Sequence, residues 1–156
     1  MSRVPASVNG FLKGKRFAVA GVSREGNLPA NAIFRKLKAS GFDVVPVNPN
    51  AETVEGVACY PNLAAVPGPV DGLVIAAHPD VAAGLVKQAA ARGVTHVWFH
   101  RSFGEGSVSD AALDACRAAG ITPIVGGCPL MYCAPVDVAH RCFRWWLLFK
   151  GRLPER

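Results

Sequence analysis

Residues 17–50 read FAVAGVSREGNLPANAIFRKLKASGFDVVPVNPN, and this stretch decides the fold. A short apolar, β-branched run ends at Gly21, and a second such run, DVVPVN, begins at Asp43. Between them Ile33, Phe34 and Leu37 fall on one face of a helix pattern. Pro29 suits a first helical turn and Gly41 suits the residue just past a helix end. Strand, glycine turn, helix and strand in that order form the layout of a phosphate-cradling α/β unit. The three-glycine dinucleotide fingerprint is missing, however, and no Asp or Glu closes the second strand.

Outward from this unit the alternation continues. GVACYP (56–61) reads as a weak edge strand, followed by the proline-rich connection NLAAVPGPVD. GLVIAA (72–77) is a fully apolar strand, and a helix runs from about Asp80 to Arg92 with Val81, Leu85 and Ala89 on one face. THVWF (95–99) is the next strand. The following helix opens with a capping-box pattern from Ser107 to Asp110 and stops at Gly120. TPIVGG (122–127) is the last strand, and residues 135–150 form a terminal helix. Apolar strands alternating with amphipathic helices imply a doubly wound, mainly parallel sheet with helices on both faces, a Rossmann-like α/β fold. The whole chain, 1–156, is expected to be one domain, with residues 1–12 a loosely attached lead-in.

Composition bounds the function. A chain 51% apolar and 18% charged is globular. No apolar run reaches the roughly 18 residues that span a bilayer, and the first 16 residues lack a signal-peptide core, so a cytoplasmic location is expected. Five cysteines without a C-x-x-C pair argue against a zinc site or a disulfide framework, and no metal site is expected. The net charge of +6 is dispersed over KGKR, RKLK and the tail, which suits solubility better than a nucleic-acid footprint.

Ligands of such sheets lie outside the carboxyl ends of the strands. The segment GVSREGN occupies that place after the first strand: Gly21 permits close backbone approach, Ser23 offers a hydroxyl and Arg24 a charge. The N–H groups near Pro29 to Asn31 would favour a phosphate, and the alternative is an ordinary turn that needs glycine for backbone reasons. At the end of the second strand stand Val47, Asn48, Pro49 and Asn50. A neutral Asn there tolerates a phosphorylated ribose, whereas an NAD site places an acid. The Walker pattern is absent as well. The residues thus argue against NAD and against a P-loop nucleotidase. His78, in IAAHPD, is a tempting acid or base, but a lone His without a paired carboxylate is more often a hydrogen-bonding residue.

Taken together, AVAGVS, the stretch from Gly41 to Pro79 and GVTHVWFHRSFGEG resemble the CoA-binding domain family. These small Rossmann-like proteins are similar to the N-terminal domain of succinyl-CoA synthetase α subunits. The likeness covers about residues 11–133, and its specific part is VNPN followed by G-x-x-x-Y-P-N-L and P-x-P-V-D-x-x-V. It implies that coenzyme A or an acyl-CoA lies across the strand ends. Gly21, Val22 and Ser23 match the family's first nucleotide-binding turn; Val47, Asn48 and Pro49 match the stretch beside the adenosine. Ala77, His78 and Pro79 match the next contact loop, and Phe99, His100 and Arg101 stand at the following strand end. Cys128 matches a Cys often present late in these domains and is read as a small buried residue. Arg24, Arg35, Lys36 and Lys38 are candidate partners for the phosphates or a solvated face.

The synthetase reaction to which the resemblance points needs a phosphorylatable His in a second domain, which a chain of this length is not expected to hold. No nucleophile–base–orienter set is legible, and no catalytic residue is assigned. The expected function is a non-catalytic CoA carrier, sensor or regulatory module; the alternative is an oxidoreductase or acyl-CoA-processing enzyme using another adenine dinucleotide. In the tail, Val138, Cys142, Trp145, Trp146 and Phe149 form one stripe with basic residues interleaved. That helix is expected to pack on the sheet or to serve as an oligomer or protein contact, in preference to membrane or nucleic acid.

Overall fold

The computed structural model describes residues 4–101 and 106–154. Positions 102–105 of the GVTHVWFHRSFGEG motif, residues 1–3 of the lead-in and residues 155–156 lie outside that set. In chain order the elements are α1 (Ala6–Leu12), β1 (Arg16–Ala20), α2 (Pro29–Ala39), β2 (Asp43–Val47), β3 (Thr53–Val54), β4 (Val57–Ala58), β5 (Gly72–Ile75), α3 (Pro79–Ala91), β6 (His96–Phe99), α4 (Asp110–Ala119), β7 (Thr122–Val125) and α5 (Val138–Phe149). Five strands form one parallel sheet in the order β2-β1-β5-β6-β7. The chain winds outward from β1 to β2, then crosses back to β5 on the other side of β1. The strand order therefore reverses between β1 and β5, and the crevice for a ligand opens there. The fold is α/β and Rossmann-like.

The central strands β1, β5 and β6 are buried on both faces, which is why they read as continuous apolar runs. Phe17, Val19, Val74, Trp98 and Ile124 pack under α1, α2 and α5, while Ala18, Ala20, Leu73, Ile75, Val97 and Phe99 pack under α3 and α4. This is the two-residue period of a strand sorted onto two layers.

Residues 6–12 are not loosely attached. They form a helix whose Val8 and Phe11 are in the core. Phe11 stacks on Phe17 at 4.4 Å between ring centroids and meets Trp98 edge-on at 5.4 Å. A side chain at Gly72 would strike the Phe11 ring at 2.7 Å, so the two positions are fitted to each other. The weak strand candidate at 56–61 is β4, paired antiparallel with β3 in a separate hairpin, and Tyr60 bridges to Val47 beside it. Two helix starts lie later than their sequence signals. The Ser109 hydroxyl accepts from Ala112 N–H (3.2 Å) and caps α4, while Ser107 is buried in the preceding turn. Asp137 accepts from His140 N–H (2.9 Å), so α5 begins at Val138 and not at Pro135.

Candidate functional site

A cleft of about 600 Å³ lies across the exits of β1, β2 and β5. Gly21, Asn48, Pro49, Asn50 and Pro61 form one wall, and His78, Asp80, Val81, Gly84, Leu85 and Gln88, all on or beside α3, form the other. Two further recesses adjoin it, one reaching Ser23 and Arg24 and the other Arg24 and Glu52; Asn50 borders all three. Among the described residues Arg24 is the cation bordering this group of clefts.

The first turn is built by a polar strut. Asn31, fully buried in the first turn of α2, accepts from Ser23 N–H (3.0 Å) and donates to Ser23 C=O and to Glu55 Oε1 (both 2.7 Å). Arg35 also bonds Glu55 (2.8 Å) and reaches Gly26 C=O (3.1 Å). From the far side Asn48 Nδ2 donates to Val22 C=O (2.9 Å), and its Oδ1 accepts from Asn50 N–H (2.8 Å). Asn48 thus ties the exits of β1 and β2 together. The Ser23 hydroxyl accepts from Glu25 N–H (3.1 Å), a bond that does not use its own proton.

Gly21 has a φ of +103°, and a Cβ there would lie 2.3 Å from Ala76 C=O, on the chain leaving β5. The glycine lets the two strand exits at the switch point touch. Its necessity is therefore set by backbone contact with the protein itself, the alternative reading of that turn. Gly84 is the opposite case. It lies inside α3, a position that disfavours glycine by about 1 kcal/mol against alanine, yet a Cβ there would meet nothing within 4 Å. The space beside it is cleft.

The model of the CoA binding domain matches residues 15–134, most of the chain. The chain belongs to the CoA-binding domain family. Association with CoA in general is the property that defines such a domain. Residues of this domain are 34% identical over 82 positions to the ADP-forming acetate–CoA ligase II of Archaeoglobus fulgidus, a match covering 51% of this chain and 12% of the ligase. Among solved structures, a conserved hypothetical protein from Pyrococcus furiosus superposes with a TM-score of 0.65 at 30% identity, over 74% of this chain and 97% of that one. The acetyl-coenzyme A synthetase 1 of Ca. Korarchaeum cryptofilum, solved with phosphate and ADP, gives 0.61 at 26% identity over 70% of this chain and 25% of the synthetase. The chain thus spans a small part of the ligase and the synthetase, and nearly all of the Pyrococcus protein.

Within this CoA-binding domain, Gly21, Val47, Asn48, Pro49, Ala77 and His78 line the main cleft, and Ser23 and Arg24 line the adjoining recess. Three expected residues do not. Val22 is fully buried, Pro79 opens α3 without lining the cleft, and Phe99 is held in the core under α3 and α4. The basic residues of α2 are committed elsewhere: Arg35 to Glu55, Lys36 to the Pro135 carbonyl, and Lys38 over the Phe34 ring at 5.9 Å. His78 has a partner that its sequence neighbourhood did not suggest. Its Nδ1 accepts from Asp80 N–H (3.3 Å), capping α3, and lies 3.2 Å from the Asp80 carboxylate. Asn31, Glu55, Val81, Gly84 and Gln88 were missed. Asn on the apolar face of one helix and glycine inside another were the signals available.

The buried thiols are quiet. Burial pushes Cys128 up to about 12 and Cys133 up to about 11, and Cys59, beside the adjoining recess, is raised for the same reason. A thiol that stays protonated at neutral pH is neither a nucleophile nor a metal ligand, which fits the reading of Cys128 as a small buried residue. Among the described residues no three His, Cys, Asp or Glu side chains converge as a metal site. A second cleft, of about 570 Å³, lies between α4, β7 and the turn after α5; it holds Arg101 but none of the first-turn residues.

Proposed function

We propose that the cleft at the β1–β5 switch point holds coenzyme A or an acyl-CoA, and that the chain acts as a non-catalytic carrier, sensor or regulatory module. The adenine lies in the apolar slot between Pro49 and Pro61 on one side and Val81 and Leu85 on the other, over the clearance at Gly84. The phosphorylated ribose lies at the exit of β2, where Asn48 and Asn50 take the place of a carboxylate. Ser23 Oγ and Arg24 serve the phosphates from the adjoining recess.

The observation that carries this reading is that Asn48 and Asn50, and no acid, stand at the exit of β2, which opens onto recesses holding Arg24, with Glu25 in one and Glu52 in the other. A carboxylate at that place would repel a ribose phosphate and favour unmodified ribose hydroxyls. The test compares CoA with dephospho-CoA, which lacks only the ribose phosphate. CoA should bind about tenfold tighter, the scale of one charge-assisted contact, and Arg24→Ala should narrow the gap. Equal binding of the two ligands by the wild-type chain contradicts the reading.

A non-catalytic role is supported by the way His78 is used. Its Nδ1 caps α3, so the imidazole is tied to the helix start. The competing reading, an acyl-CoA-processing enzyme, rests on the same His78 and on Asp80 beside it in the cleft wall. Thioester hydrolysis by the purified chain that disappears in His78→Asn, with CoA still bound, decides for the enzyme.

A further inference from the structure

Helix α5 is apolar on two opposite sides. Leu147 is fully buried and Phe143 is partly buried against the core. On the other side Val138, Cys142, Trp145 and Phe149 follow at steps of four, three and four residues, which places them on one stripe. That stripe faces outward: Val138 is 72% exposed, Trp145 75% and Phe149 84%, and Cys142 is exposed as well. Trp146 and Leu148 lie partly open at its edges. A helix that packs on its own protein hides its apolar stripe and shows a polar one. Here the packing expected of the terminal helix accounts for one side only.

We propose that the outward stripe of α5 docks on an anionic lipid surface, with the helix lying in the plane of the bilayer interface. Three features select that occupant. Trp and Phe are the side chains that settle at the headgroup boundary. The exposed Arg141 and Lys150, and Arg152 just beyond, stand beside the apolar stripe, where long basic side chains reach anionic headgroups while their stems stay apolar. The acid at this helix, Asp137, is bound to His140 Nδ1 at 2.7 Å and leaves the basic flank uncompensated. A second copy of the chain fits less well, because two such faces brought together oppose Arg141 and Lys150 to their own kind. The 12-residue helix, about 18 Å long, is too short to cross a bilayer of about 30 Å, so the contact is with the surface.

The full chain is mixed with phosphatidylcholine vesicles, with and without phosphatidylglycerol, and sedimented. It should pellet with the anionic vesicles about tenfold more than with the neutral ones, and added salt should release it. Because both side chains are largely exposed, the W145E/F149E double variant should keep the wild-type unfolding curve and lose the pelleting. R141E/K150E should retain weak binding that no longer prefers phosphatidylglycerol. The proposal is overturned if the wild-type chain stays in the supernatant with anionic vesicles, or if W145E/F149E pellets as the wild type does. It is equally overturned if the wild type dimerises in sedimentation velocity without binding vesicles and W145E/F149E is a monomer. Vesicle-free binding to single-stranded oligonucleotide that is lost in the same variant also rules against a lipid partner.

Discussion

Asn31 brackets Ser23: one side chain accepts from the Ser23 N–H and donates to the Ser23 carbonyl, at 3.0 and 2.7 Å. The bracket fixes the turn that follows β1 without using any side chain of the turn itself. It also occupies the Ser23 N–H, so that backbone group is not available to a phosphate. The Ser23 hydroxyl and Arg24 are left to face the recess. Asn31→Ala should strand both Ser23 backbone groups and remove a donor from Glu55. The expected loss of stability is about 2 kcal/mol, measured by urea denaturation, with weaker CoA binding in the folded fraction. Asn31→Asp should be worse, because it sets a second carboxylate against Glu55 and the Ser23 carbonyl.

Gly21 is required by the fold before it is required by any ligand. Gly21→Ala brings a methyl group onto the Ala76 carbonyl in a backbone conformation that disfavours side chains. A destabilisation of about 2 kcal/mol or more is expected in chemical denaturation, with or without CoA present. A variant of unchanged stability that binds CoA poorly would assign the glycine to the ligand instead.

Gly84 separates stability from binding in the other direction. Gly84→Ala should stabilise α3 by about 1 kcal/mol, since the new methyl group touches nothing. Gly84→Leu fills the cleft beside Val81 and Leu85 and should weaken CoA binding about tenfold without lowering the unfolding midpoint. Unchanged affinity in a folded Gly84→Leu chain would place the ligand away from α3.

The pH dependence of stability has a defined sign. Burial holds the imidazoles of His100 and His96 below the usual value of 6.5. Above pH 6.5 both folded and unfolded chains carry these groups neutral, and they add no slope. Below it the unfolded chain takes up protons that the folded chain resists, so stability falls as pH falls. Thermal unfolding between pH 7 and pH 5 should show the decline, and His100→Gln should flatten part of it.

The period-two strands and the helix between Pro29 and Ala39 were legible because local pattern and final burial agree. The cleft was legible at Gly21, Val47–Pro49 and Ala77–His78, where residues leave the strand ends whatever the packing around them. Phe99 was misplaced because a strand end can be written identically whether its last side chain turns to the crevice or to the core. Its neighbour in the layer, α4, decides that, and no local signal carries it. The α3 wall was missed for a related reason: Val81 and Leu85 read as one apolar stripe, and only the crossover from β5 sets how much of it reaches the sheet. Helix α1 lay hidden because Phe11 gains its meaning from Gly72, 61 positions away.

Calorimetric titration of the purified chain with CoA and, separately, with NAD tests the central claim most directly. The exit of β2, with Asn48 and Asn50 in place of an acid and Arg24 beside it, predicts that CoA binds at least about tenfold tighter than NAD. Equal or tighter binding of NAD would contradict the account.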